Sequence, residues 1–99
     1  MNLISMATVE NHHRGHWFSP KALRFFSSRI AAYGYQHHEG APVYFVSSER
    51  FDWGSSRRYT VRRYNWDTDT IDTVGDFQQY ASRNGADAAA QRLARQNPA

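Results

Sequence analysis

Cysteine is absent from this 99-residue chain, which excludes disulfides, thiolate nucleophiles and any cysteine-containing zinc site or cluster. Long apolar runs are absent too. No segment approaches the roughly 20 apolar residues of a membrane-spanning helix, and Met1 to Ala7 carries no basic leader. The expectation is a soluble, unexported protein with no membrane partner, compatible with a reducing cytoplasm. Lysine is nearly missing: 11 of the 12 basic residues are arginine, whose planar fork suits carboxylates and phosphates. Negative charge is also limited, since nine carboxylates leave a formal net charge of +3. That balance excludes an acidic nucleic-acid mimic and favours an acidic partner only mildly. There is no internal repeat and no low-complexity tract.

What the chain does have is aromatic bulk. Fifteen Phe, Tyr and Trp residues supply enough apolar area for one small core, and the length is that of one compact domain. Residues 1–16 show no clear period and end in Asn11-His12-His13-Arg14-Gly15-His16, so they read as a flexible N-terminal segment before a single α+β domain at 17–97. Ser19 as N-cap and Pro20 as first helical residue open a helix of two to three turns, with Ala22, Phe25 and Phe26 on one stripe. Ile30 to Tyr35 reads as a short strand or the approach to one, and Gln36 to Pro42 as a turn.

Val43 to Ser48 is β-branched and aromatic and predicts a strand. Asp52-Trp53-Gly54-Ser55 turns the chain into a second strand, Arg58 to Trp66. Asp67-Thr68-Asp69 turns it again into a third, Thr70 to Phe77, with Gly75 a candidate bulge. Ser82 caps a last helix whose apolar face is Ala86, Ala89, Ala90, Leu93 and Ala94. The expected architecture is α-β-β-β-α, a three-stranded antiparallel meander with both helices packed on one face and the other face in water.

Charge concentrates in Arg57-Arg58-Tyr59-Thr60-Val61-Arg62-Arg63-Tyr64. Strand alternation places Arg58, Thr60, Arg62 and Tyr64 on one side, with Arg57, Tyr59, Val61 and Arg63 on the other. If the first set faces water, Arg58 and Arg62 with Tyr64 and Trp66 form a basic, aromatic platform for phosphates and stacked bases. The competing reading is a solvated face whose arginines pair with Glu49, Asp72 or Asp76 across the strands. Trp53 and Arg29 complete the set of candidate contact residues. Arg57 and Arg63 then fall on the core side and must sit at the rim or snorkel.

His12 and His16 have i, i+4 spacing, with His38 or Glu39 as a third or fourth ligand, yet Gly15 and the missing period argue against a helix there. Surface histidines are the simpler reading, and neither a metal nor a cofactor is expected. Asp67-Thr68-Asp69 lacks the length and closing glutamate of a calcium loop. No serine stands in a nucleophile motif and no carboxylate pair is evident, so a non-enzymatic protein is expected.

The α-β-β-β-α order and the helix Ala86-Asp87-Ala88-Ala89-Ala90-Gln91-Arg92-Leu93 resemble double-stranded RNA-binding domains. Those domains begin the last helix with a lysine cluster aimed at phosphates, where this chain has Ser82-Arg83-Asn84-Gly85-Ala86-Asp87. A second likeness spans residues 17 to 95. Phe25-Phe26-Ser27-Ser28-Arg29, Tyr44-Phe45-Val46-Ser47-Ser48-Glu49-Arg50-Phe51, Arg58-Tyr59-Thr60-Val61-Arg62 and Thr73-Val74-Gly75-Asp76-Phe77-Gln78 resemble small proteins of unknown function encoded by phages and mobile elements. That resemblance implies an accessory protein acting in a bacterial host by binding host or phage machinery, as anti-CRISPR inhibitors do. The leading expectation is therefore steric inhibition of a host defence protein or ribonucleoprotein. Direct nucleic-acid binding and homodimerisation through a sheet edge are the alternatives.

Overall fold

A computed structural model describes residues 1–15, 17–18, 24, 26–51 and 54–97. It is an α+β fold built on a six-stranded antiparallel sheet: β1 (Asn2–Ser5), β2 (Ser27–Ile30), β3 (Tyr33–Gln36), β4 (Val43–Arg50), β5 (Arg58–Asn65) and β6 (Thr70–Val74). Among the described residues, helices α1 (Met6–His12) and α2 (Arg83–Gln96) flank it. The spatial order is β1-β3-β4-β5-β6, and β2 pairs with β4 beside β3. The edge of β4 is thus shared: Ser47 to Arg50 pair with β2, Tyr44 pairs with Tyr35 of β3, and Ala31 donates to the Val46 carbonyl at 2.9 Å between them.

The expected meander is present as β4, β5 and β6, with Val43 opposite Tyr64, Phe45 opposite Arg62 and Val61 opposite Val74. Three further strands enlarge it. Asn2 to His12, expected as flexible segment, forms β1 and α1 and contributes buried Met6 and Val9, so the folded unit begins well before residue 17. The Ser5 side chain caps α1 by accepting from the Ala7 N–H at 3.3 Å. The helix expected from Ser19 falls largely outside the described residues, and its last two positions, Ser27 and Ser28, belong to β2. The turn at Asp52-Trp53 also lies outside them.

The helices do not share a face. Successive residues of β4 point to opposite sides of the sheet, and each side carries its own core. Tyr44, Val46 and Val61 pack with Ala86, Ala89, Ala90 and Ala94 of α2 on one side. Val43, Phe45 and Tyr64 pack with Met6 and Val9 of α1, and with Trp17, Ile30, Trp66 and Ile71, on the other. The alanine face lets α2 lie close to the sheet, and Ser82 caps it by accepting from the Gly85 N–H at 3.1 Å. Gly34 serves the opposite side: a Cβ there would stand 2.7 Å from Val43 Cγ1 and 2.9 Å from Met6 Sδ, so α1 seats only over a bare backbone.

Candidate functional site

The alternation expected of the arginine strand holds, but the side carrying Arg58, Thr60, Arg62 and Tyr64 is not open to water. It is the face covered by α1. Tyr64 and Thr60 are buried, Trp66 is partly buried with its indole N–H donating to the Ala41 carbonyl at 2.9 Å, and Arg62 is mostly buried. Arg58 is exposed, yet its guanidinium is committed to the Gln78 carbonyl at 3.1 Å and the Gln79 carbonyl at 3.3 Å, tying β5 to the chain that follows β6. The platform of four contact residues is therefore replaced by a set of internal braces. Trp53 lies outside the described residues. Arg29 is exposed on β2.

Arg62 sits in a polar cluster sunk into that face. Its Nε donates to Ser47 Oγ at 3.0 Å and its Nη1 to Thr73 Oγ1 at 2.8 Å, while Nη2 lies 3.9 Å from Glu49 Oε1. Thr60 Oγ1 donates to the same carboxylate oxygen at 2.9 Å and accepts from the Gln78 N–H at 2.8 Å. Glu49 Oε2 is buried without a hydrogen-bond partner among the described residues. Burial pushes the Glu49 carboxyl above its ordinary range despite the opposing pull of Thr60 and Arg62, and burial likewise lowers the Arg62 guanidinium against the attraction of Glu49. The guanidinium also lies 5.9 Å from the Phe18 ring centre and 5.6 Å from that of Phe77, within cation–π range of both.

A second network joins α1 to the β5–β6 turn. The Tyr64 hydroxyl donates to Asp69 Oδ1 at 2.6 Å, so its oxygen accepts from His12 Nδ1 at 2.8 Å. His13 Nδ1 donates to Asp69 Oδ1 at 2.8 Å and the Arg14 N–H to Oδ2 at 3.2 Å. The hydrogen bond from Tyr64, then that from His13, holds the Asp69 carboxyl at about 2. Burial, then Asp69, pushes the Tyr64 hydroxyl up to about 12. Asp69 adopts φ 53°, a left-handed conformation that aspartate tolerates better than most residues. Two of the histidines read from the sequence as loop residues thus clamp a helix C-terminus to a turn. His16 lies outside the described residues, and among the described residues no group of three His, Asp or Glu side chains is arranged to hold a metal ion.

Beyond the polar cluster, aromatic rings reach the surface. Phe51 is 62% exposed and Phe77 47% exposed, and Phe26 stands between them with ring centres 4.7 Å and 6.0 Å away. Arg62 supports Phe77 from beneath and Arg58 holds the neighbouring 78–79 backbone. None of the three phenylalanines was singled out as a contact residue from the sequence. Phe51 and Phe77 each follow a β-strand pattern at its end, where alternation no longer says which side a ring takes. A visible signal was that Phe51 and Phe77 flank charged residues in Glu49-Arg50-Phe51-Asp52 and Asp76-Phe77-Gln78.

No curated protein and no solved structure matches this chain. Its sequence does match a family of unknown function, DUF7447, over residues 2–91. That span runs from β1 through most of α2 and takes in both polar networks and the aromatic surface. The chain belongs to the DUF7447 family.

Proposed function

We propose that this chain is a non-enzymatic binding protein, a small accessory of phage type that docks on a host protein or ribonucleoprotein and inhibits it sterically. The observation that carries the reading is the pair of exposed rings Phe51 and Phe77, with the half-buried Phe26 between them, beside Arg58 and Arg62. A ring packed against its neighbours, as Phe77 is against Arg62 and Phe26, loses little freedom on binding, and aromatic and arginine side chains dominate the energetics of protein interfaces. A phenylalanine left 62% exposed in a chain this small gains its apolar burial from a partner. The platform expected of direct nucleic-acid binding through β5 is absent from the surface, because Tyr64 is buried and both arginines are engaged internally.

The test is affinity capture from bacterial lysate with nuclease added, comparing the wild-type chain with a Phe51→Ser, Phe77→Ser double variant. A partner held by the wild type and lost by the double variant is the expected result. Equal capture by both would end the proposal. Self-association is a second reading, favoured by β1, a sheet-edge strand without a charged residue on which Leu3 is 61% exposed. Light scattering across a concentration series decides it, with a dimer that Leu3→Lys converts to monomer as the expected outcome.

A further inference from the structure

On the α2 side of the sheet, opposite the phenylalanines, a groove of about 320 Å³ runs between β2, β3 and the first turns of α2. Its walls include Arg29 of β2, Tyr33 and Tyr35 of β3, Tyr59 of β5, and Arg83 and Asp87 of α2. The guanidinium groups of Arg29 and Arg83 have no hydrogen-bond or ion-pair partner among the described residues. Asp87 is the one carboxylate in the lining. It accepts from the Tyr35 hydroxyl at 2.8 and 2.9 Å and from Gln91 Nε2 at 2.8 Å, so it is engaged at the wall of the groove and fixes Tyr35 there.

A third arginine stands behind Ser48 of the groove wall. Arg57 Nη1 donates to the Ser48 carbonyl at 3.2 Å and to Ser48 Oγ at 3.0 Å, while its contacts on the other side are the Ser27 carbonyl and hydroxyl at 3.3 and 3.2 Å. All four bonds go to neutral oxygens. Burial, then the proximity of Arg29 and Arg50, lowers the Arg57 guanidinium, as crowding of like charges does. Positive charge therefore accumulates at this end of the groove, next to tyrosine rings. Tyr33 is 54% exposed.

We propose that this groove binds a nucleotide, with Arg29 and Arg83 holding its phosphate and the exposed ring of Tyr33 stacking on its base. Free arginine forks suit phosphate oxygens, and base–aromatic stacking tolerates any base. The volume lies at the low end for ligand pockets, the size for one nucleotide and not for a folded polymer segment. The nucleotide is either free in solution or one unit of a single strand threading past, and the two sources share this chemistry. The site lies on the other side of the sheet from the phenylalanine surface, and its occupancy is independent of whether that surface finds a partner.

Isothermal titration at low salt with nucleoside 5′-monophosphates, inorganic phosphate and a short single-stranded oligonucleotide tests the proposal. Saturable nucleotide binding is expected, weakened at least about tenfold by Arg29→Ala with Arg83→Ala, since a charge-assisted contact contributes about that factor or more. Tyr33→Ala should weaken nucleotide binding by a similar factor and leave inorganic phosphate binding unchanged. All three side chains are exposed or line the groove, and thermal melting of each variant checks that the fold is kept. Much tighter binding of the oligonucleotide identifies a strand as the source, and comparable affinities identify the free nucleotide. No saturable nucleotide binding, or binding indifferent to both sets of substitutions, would overturn the assignment.

Discussion

The two faces of β4 are closed in different ways. Under α2, Tyr44, Val46 and Val61 meet a row of alanines in an apolar boundary, with the Tyr35–Asp87 hydrogen bond at its margin. Under α1 the cover is a seven-residue helix with Trp17 and Trp66, and it ends near Phe45. Past that point the same strands bury Glu49, Thr60 and Arg62 in place of apolar side chains, and phenylalanines stand exposed around them. A long helix can satisfy one face with small residues alone. Among the described residues, a short one leaves part of its face to polar bonds and, on the proposed reading, to a partner.

The largest test of this contrast is Tyr64→Ala. It removes a buried ring from the α1 face together with the hydroxyl that links His12 to Asp69, and should cost about 3–5 kcal/mol in urea denaturation. Tyr64→Phe keeps the ring and should cost only about 1 kcal/mol. On the α2 face the corresponding stress is overpacking: Ala90→Leu pushes the helix from the sheet and should cost about 1–3 kcal/mol.

Acid titration separates two carboxylates of the α1 side, because their shifts have opposite signs. Glu49 is raised above 4.5 in the fold, so protonation favours the native state: its contribution falls as pH rises from 4.5 through the raised folded value. Denaturation over a pH series rising from 4.5 should show that decline in the wild type and its loss in Glu49→Gln. Asp69 is lowered from 3.8 to about 2, so it stabilises the fold above pH 3.8 and the contribution disappears as pH falls toward 2. Asp69→Asn should flatten the acid limb while leaving the decline due to Glu49 intact. The smallest effect belongs to the surface rings: Phe51→Ser with Phe77→Ser should change stability by no more than about 0.5 kcal/mol per site, although binding is lost.

The meander and α2 were legible because their signals are local and strong. Val43 to Ser48 and Arg58 to Tyr64 alternate in β-branched and aromatic residues, and Ser82 announces a helix with four buried alanines. β1 and α1 were not, since only Met6 and Val9 of α1 are buried, too few to set a period, although Ser5 as a cap with apolar residues three apart is visible in retrospect. The face expected to be open is largely covered, for a topological reason. Reading Arg58, Arg62 and Tyr64 as an open platform assumed a sheet covered on one side, and which side α1 covers depends on β1 pairing with β3, a contact about 30 residues apart in the chain. The alternation itself was correct, and Arg29 keeps the exposure expected of a contact residue.

Hydrogen–deuterium exchange of the captured complex shows which face the partner covers. Added protection is expected at residues 48–51 and 75–79, beside the phenylalanines, with the α2 face at 83–95 unchanged. Protection confined to α2 and β3, with residues 48–51 and 75–79 exchanging as in the free protein, would contradict the proposed docking surface.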